Sequence, residues 1–129
     1  MGAPGPEIQR DGGDLLTRIS TEMVRAQKRY FGKGPTATKT YLLDDFLLVV
    51  MRGSRTVAEA TMLDFGRADL VREFRQQFEN EMTSRLVGTI EELTGRSVLG
   101  YQSQILFDPD VVIELFFFDT PPGEPDVTG

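Results

Sequence analysis

Residues 41–50 read YLLDDFLLVV, and residues 105–114 read ILFDPDVVIE. Each stretch consists of two aliphatic runs separated by an acidic turn, Asp-Asp in the first and Asp-Pro-Asp in the second. Aliphatic and β-branched runs on either side of such turn residues are typical of β-hairpins. The sequence therefore predicts two hairpins, one in each half of the chain.

A helical pattern precedes the first hairpin. From Asp14, the predicted N-cap, apolar residues recur at helical spacing as far as Phe31. Gly32 or Gly34 then ends the helix, because glycine accepts the left-handed conformation that follows many helices. The GKGPT run at this point resembles a phosphate-binding loop only superficially, since such a loop follows a strand and begins a helix.

Two further helices separate the hairpins. Gly53 closes the second strand, and Thr56 and Glu59 form a capping box that begins a short helix. We expect this helix to break near Gly66. A long helix over residues 68–94 follows, and a glycine ends it.

The element order α-β-β-α-α-β-β predicts an α+β fold, with a four-stranded, mainly antiparallel sheet and helices on one face. The strand order stays open at this stage. We expect one ordered domain over residues 14–119. The Gly- and Pro-rich residues 1–13 and the segment 120–129 predict flexible tails.

The strands are apolar on both faces, whereas a sheet with one solvated face alternates apolar and polar residues. Alternate residues of FLLVVM (46–51) and VVIELFFF (111–118) are apolar on either side, apart from one glutamate. The pattern predicts a homodimer, formed through the sheet or through the long helix 68–94. The alternative is a monomer in which the short helix and the loops cover the second face.

The composition argues against catalysis. The 129 residues include no histidine and no cysteine, which excludes imidazole-based triads, thiolate nucleophiles and zinc–sulfur sites. Turn chemistry explains the paired carboxylates of both hairpins better than a metal site does. We therefore expect no enzyme activity, no metal and no cofactor; a carboxylate- or lysine-based enzyme is the remaining alternative.

A basic segment interrupts a chain whose net charge is −6. Residues 25–55 contain seven basic side chains and only two acidic ones. Such a segment attracts anions, or it consists of the solvated ends of a helix and a hairpin. The first reading predicts a site for a small anion or phosphate ester, formed by Lys33, Thr36, Lys39, Arg52 and Arg55.

Other binding classes are disfavoured. The aromatic residues lie in predicted core segments with acidic surroundings, which argues against nucleic acid. The longest apolar runs are too short to insert in a bilayer, and residues 1–13 lack the apolar region of a secretory signal. We therefore expect a cytoplasmic protein with no direct membrane insertion.

Residues 30–45 (YFGKGPTATKTYLLDD) and 91–104 (EELTGRSVLGYQSQ) carry a resemblance to the bacterial MpsC-like family. The resemblance extends over about residues 14–119. It implies a companion of membrane components in a sodium-translocating, membrane-potential-generating system linked to bicarbonate supply, and it brings no catalytic residues. The function it implies is that of a noncatalytic accessory protein that binds a partner, such as a membrane transporter component. The alternative is a small-anion sensor or carrier that uses the basic loop residues.

Overall fold

The computed structural model describes residues 4–119, with side chains from residue 13 onward. Its elements confirm the predicted order. They are α1 (Pro4–Phe31), β1 (Ala37–Leu43), β2 (Phe46–Arg52), α2 (Val57–Asp64), α3 (Ala68–Thr94), β3 (Val98–Leu106) and β4 (Val111–Phe118). The predicted C-terminal tail, 120–129, lies outside the described residues, and so do residues 1–3.

Helix α1 begins earlier than the sequence pattern indicates. It starts at Pro4, so Asp14 lies inside the helix and the predicted N-cap is wrong. Prolines are tolerated in the first turn of a helix, where the backbone N–H has no partner within the helix. The apolar spacing of the core-facing residues begins only after this segment, which is why periodicity missed it. The predicted flexibility of residues 1–13 stays a prediction.

The four strands form one antiparallel sheet in the order β1-β2-β4-β3. The two predicted hairpins are its outer pairs, and β2 pairs with β4 at the centre. The most apolar strands therefore occupy the middle of the sheet. This arrangement places an acidic hairpin turn at the end of each outer pair.

Helices α1 and α3 cover one face of the sheet, as predicted. Helix α1 contacts β1 and α3 contacts β3, while the two helices also contact each other. The core between these layers consists of nine buried side chains, which are Ile19, Met23, Leu47, Val49, Met51, Ile90, Val112, Phe116 and Phe118. Burial of this apolar area is the main source of stability, at roughly 25 cal/mol per Å².

The chain ends α1 and turns into β1 through the GKGPT run. Gly32 has φ 78°, and its N–H donates to the carbonyl of Lys28 at 2.9 Å. Positive φ is inexpensive for glycine and costly for other residues, so Gly32 terminates the helix as the sequence predicts. The run ends a helix.

The end of β2 depends on a close approach between two chain segments. Gly53 has φ 70°, and a side chain at this position would collide with the hydroxyl and Cβ atoms of Thr36. A backbone hydrogen bond fixes the position of Thr36, because its N–H donates to the carbonyl of Arg52 at 2.8 Å. Glycine is therefore required both by conformation and by space.

Helix α2 packs on α3 and leaves the second face of the sheet uncovered. It begins with the predicted capping box, in which Thr56 Oγ1 accepts from the Glu59 N–H at 3.1 Å and Glu59 Oε1 accepts from the Thr56 N–H at 2.9 Å. Helix α2 therefore does not supply the cover that the monomer alternative assigned to it, because its partner is a helix on the other side of the sheet; cover by the loops stays a prediction. None of the described helices has the length and apolar character that crossing a bilayer requires.

Candidate functional site

The uncovered face of the sheet, here called the open sheet face, presents rows of directly paired residues. Strand register defines them, because residues opposite each other in an antiparallel pair project to the same side. From the β1–β2 turn outward the rows are Leu43, Phe46, Phe117 and Gly100; Tyr41, Leu48, Leu115 and Gln102; Lys39, Val50, Ile113 and Gln104; and Ala37, Arg52, Val111 and Leu106.

This face is apolar at its centre and has no acidic residue in its strand rows. Leu43 is 50% exposed, Phe117 43% and Tyr41 41%, and the ring of Phe46 lies 5.8 Å from that of Phe117. A continuous surface of aromatic and aliphatic residues is uncommon on a monomer and is typical of a binding surface. The open sheet face is therefore one candidate functional site.

The residues of the predicted anion site contact one another in two pairs, Lys33 with Arg55 and Thr36 with Arg52. Lys33 Nζ donates to the carbonyl of Arg55 at 2.9 Å. The guanidinium of Arg55 donates to the carbonyl of Phe107, and its N–H donates to Asp110 Oδ2 at 3.3 Å. Lys33 and Arg55 therefore lie together. Their hydrogen bonds connect the end of α1, the β2–α2 connection and the second hairpin turn.

Of the other three residues, Thr36 precedes β1, Lys39 lies in β1 and Arg52 ends β2. Thr36 Oγ1 donates to the carbonyl of Arg52 at 3.1 Å. Lys39 projects from the open sheet face, with its ammonium 5.9 Å from the centre of the Tyr41 ring, and Arg52 lies in the next row of the same face. Thr36 and Lys39 line one groove between α1 and β1, which Lys33, Arg52 and Arg55 do not line. The anion site stays a prediction.

A second candidate site is a cavity between α1, α3 and the covered face of the sheet. It measures about 50 Å³ for water-sized molecules. Its walls combine apolar and polar side chains, which are Met23, Ala26, Gln27, Tyr30, Phe31, Arg75, Phe78, Glu79, Met82, Leu86, Tyr101, Ser103, Ile105, Val112 and Glu114. We call it the interhelical cavity.

The base of the interhelical cavity contains a buried acid. Glu114 is 4% exposed, and the Tyr101 hydroxyl donates to its Oε1. Burial raises the pKa of the Glu114 carboxyl to about 8, and the charge of Glu79 acts in the same direction. Burial, followed by the charge of Glu114, also raises the pKa of the Tyr101 hydroxyl well above its ordinary value. Both groups are therefore mainly neutral at pH 7.

The α1 wall of the interhelical cavity contributes an acceptor without a partner. Gln27 is 9% exposed, and its Oε1 makes no hydrogen bond in the described structure. A buried carbonyl oxygen with no donor is costly and uncommon, so the position calls for a hydrogen-bond donor in the cavity.

The positive charge at the cavity wall is already neutralised. Arg75 donates to Glu59 through Nε at 2.5 Å and through Nη2 at 2.7 Å. Its Nη2 also lies 3.3 Å from the carbonyl of Ser54, and its guanidinium stacks 4.0 Å from the centre of the Phe31 ring. Burial alone would raise the pKa of Glu59, but hydrogen bonds from Arg75 and Thr56 outweigh it and lower that pKa. Arg75 and Glu59 therefore form a buried ion pair in which each side chain neutralises the charge of the other.

Sequence reasoning did not identify the interhelical cavity. The available signal was Glu114, the one acidic residue of VVIELFFF, at a position whose strand neighbours Val112 and Phe116 belong to the core. An acidic residue on a core-facing position is unusual and often functional. Gln27 and Glu79 gave no comparable signal, since only tertiary packing brings them to the same place.

Comparison with known proteins gives a family and a distant relative. The sequence pattern of the family described as Na⁺-translocating membrane potential-generating system (MpsC) matches residues 12–120. The chain is 23% identical over 99 residues to the uncharacterized protein YbcI of Bacillus subtilis (strain 168), covering 76% of this chain and 80% of the relative. No solved structure matches the chain.

Proposed function

The chain belongs to the MpsC family, and we propose that it is a noncatalytic protein that pairs with a second copy and, as that pair, binds a membrane component of a Na⁺-translocating system. The observation that carries the proposal is the open sheet face. The family description supplies the membrane system, and the lack of histidine and cysteine supports a noncatalytic role. We place the pair in the cytoplasm as part of the same proposal.

The size of the open sheet face supports a second copy as its occupant. Four strands spaced about 4.8 Å apart, each about seven residues long at about 3.4 Å per residue, span roughly 450 Å² in plan before side-chain relief is added. A stable interface buries about 800 Å² per partner. The open sheet face would therefore supply the central part of an interface of ordinary size.

The charge distribution is also compatible with self-association. The cations of this face, Lys39 and Arg52, lie toward the β1 edge, and Gln102 and Gln104 lie on β3 at the other edge. A two-fold axis along the strands places β1 of one copy over β3 of the other. Lys39 then meets Gln104 of the second copy and Arg52 lies over Val111, so like charges stay apart.

A change of charge on the open sheet face tests the pairing. We expect the wild-type protein to have twice the 14.4 kDa mass of one chain in light scattering or sedimentation equilibrium. The double variant Leu43→Glu/Phe117→Glu should be a folded monomer, because two carboxylates would be buried in the interface. The matched control is Val57→Glu/Phe65→Glu, which alters two exposed apolar residues at α2 and should stay dimeric. A monomeric wild type, or a dimer that only the control disrupts, would reject the pairing.

The membrane component needs a surface that pairing leaves free. Val57 is 83% exposed and Phe65 74%, and Leu70 and Phe74 are exposed nearby at the start of α3. We call these four exposed residues, which lie at α2 and at the start of α3, the α2 patch; α2 and α3 pack on each other, and Leu70 and Phe74 border the groove beside α2. An exposed apolar patch of this kind supports binding of a second protein.

Site-specific photocrosslinking in cells tests both contacts at once. A photoreactive residue at position 117 should crosslink the chain to a second copy. The same residue at position 65 should crosslink it to an integral membrane protein, and an exposed position on α1, residue 18, should crosslink to neither. Crosslinks from position 65 that lead only to water-soluble proteins would contradict the membrane partner and leave the pairing intact.

A further inference from the structure

We propose that the interhelical cavity is a binding site for a small primary ammonium ion, held by Gln27, Glu79 and Glu114 between aromatic walls. The ligand is a short alkylamine in its protonated form. This site is separate from the open sheet face, so it stands independently of the pairing proposed above.

The polar groups of the cavity call for a ligand that donates hydrogen bonds. Gln27 Oε1 is buried and has no donor, although it lines the cavity. Glu79 and Glu114 add carboxyl oxygens from α3 and β4. An ammonium group carries three N–H donors, which matches three acceptors that come from three different elements.

The charge balance of the cavity calls for a cation. Among the described residues that line it, Arg75 is the one cationic side chain, and Glu59 already neutralises it at 2.5 Å. The Glu79 carboxylate therefore has no cation of the cavity wall to neutralise it. A positively charged ligand would supply that charge in a partly dehydrated space, where the attraction is stronger than in water.

The walls favour an organic ion. Phe31 and Phe78 lie 4.6 Å apart between ring centres, and Tyr30 lies 6.3 Å from Phe78. Aromatic faces attract ammonium groups, and the adjoining methionine, leucine and isoleucine side chains suit an alkyl chain. The described residues contain no group of three acidic side chains able to hold a metal ion, which disfavours a multivalent metal. One water needs about 10–15 Å³ of such space, so a cavity of about 50 Å³ suits a ligand of a few heavy atoms.

The test uses the full chain and n-propylammonium chloride as the probe. We expect saturable chemical-shift changes in the methyl resonances of Met23 and Met82, which line the cavity, and none at Met62 on α2. The thermal midpoint should rise by a few degrees near saturation. Three controls should not reproduce these changes. Sodium chloride at equal ionic strength and tetramethylammonium chloride supply a cation without N–H donors. The third, 1-butanol, supplies neither the charge nor the N–H donors. Equal effects of the sodium or tetramethylammonium salts would overturn the proposal.

Two variants separate binding from folding. Glu79→Gln should weaken binding of propylammonium at least about tenfold, and Glu73→Gln on the exposed side of the same helix should not. Gln27→Met should also weaken binding about tenfold while it leaves the unliganded protein equally or more stable, because it removes a buried oxygen without a partner. Unchanged binding in both Glu79→Gln and Gln27→Met would overturn the site, and a Gln27→Met protein that is less stable would show that Gln27 serves the fold instead.

Discussion

Glu114 lies in the central strand β4 and projects from the covered face into the core, where it is paired with the hydroxyl of Tyr101. An ordinary core position would hold an aliphatic residue, as Val112 and Phe116 do on either side. A carboxyl group in this position lowers the stability of the folded chain at neutral pH. Residues retained at such a cost are frequently part of binding sites.

The cost has a defined pH dependence. The pKa of Glu114 is about 8 in the folded chain, against an ordinary value of 4.5 for a glutamate in water. Below pH 4.5 the proton is bound in both states, so the titration of Glu114 does not change the stability there. Between pH 4.5 and 8 only the unfolded chain releases the proton, so the folded chain loses stability, by on the order of 5 kcal/mol in total. Above pH 8 the loss is constant.

Glu114→Gln should remove this dependence. We expect the free energy of unfolding of the variant to match that of the wild type near pH 4.5. The variant should become increasingly more stable than the wild type up to pH 8, because glutamine does not titrate. Urea unfolding at several pH values measures the difference in free energy. Glu73→Gln, an exposed change on α3, should track the wild type throughout. Parallel wild-type and Glu114→Gln curves would mean that the carboxyl is ionised in the fold.

At the scale of elements, a buried ion pair links α2 to α3. Glu59 belongs to the capping box of α2, and Arg75 contacts it from α3. Both side chains are nearly fully buried, at 6% and 7% exposure. A buried pair of this kind is costly to break on one side only, because the remaining charge stays buried without a partner.

Arg75→Met should therefore destabilise the chain by about 3–5 kcal/mol. The double variant Glu59→Gln/Arg75→Met should recover part of that loss, since no uncompensated charge remains. Chemical denaturation of the two variants and of Arg18→Met, an exposed change on α1, provides the comparison. A double variant less stable than Arg75→Met alone would show that Glu59 is stabilised by other groups.

Local signals predicted most of the elements. The capping box at Thr56 and Glu59, the glycine at position 32 and the two acidic turns each reflect the conformation of a few neighbouring residues, so the sequence indicates them directly. The N-terminus of α1 was missed because its first turns carry Gly and Pro and lack the apolar periodicity. The strand order was not predictable, because the β2–β4 pairing joins distant segments and no local pattern specifies it.

The candidate sites also differ in whether local sequence or contacts between distant segments define them. Two-faced apolar strands indicated the open sheet face, since strand alternation is a local property. The interhelical cavity depends on Gln27, Glu79 and Glu114 coming together from α1, α3 and β4, which no single stretch of sequence reveals. Of the five predicted anion-site residues, Lys33 and Arg55 are placed together, and their polar groups contact backbone carbonyls of neighbouring segments.

At the scale of the whole molecule, three surfaces lie in different places. The open sheet face occupies one side of the sheet, the α2 patch lies among the helices, and the interhelical cavity lies between the layers. In the proposed arrangement one copy can therefore contact a second copy and a membrane protein without competition. The cavity wall includes Arg75 and Phe31, and Phe31 also borders the groove beside α2. A ligand in the cavity would thus contact residues adjacent to the α2 patch.

The central β2–β4 pairing also bears on how the chain reaches this structure. Each half, a helix followed by a hairpin, closes only short loops and can form quickly. The pairing of β2 with β4 must instead bring together segments separated by both α2 and α3, which carries a larger entropic cost. We therefore expect the two halves to gain structure first and their union through the central strands to limit the folding rate. Until that union occurs, the apolar edges of both hairpins are open to pairing with other chains.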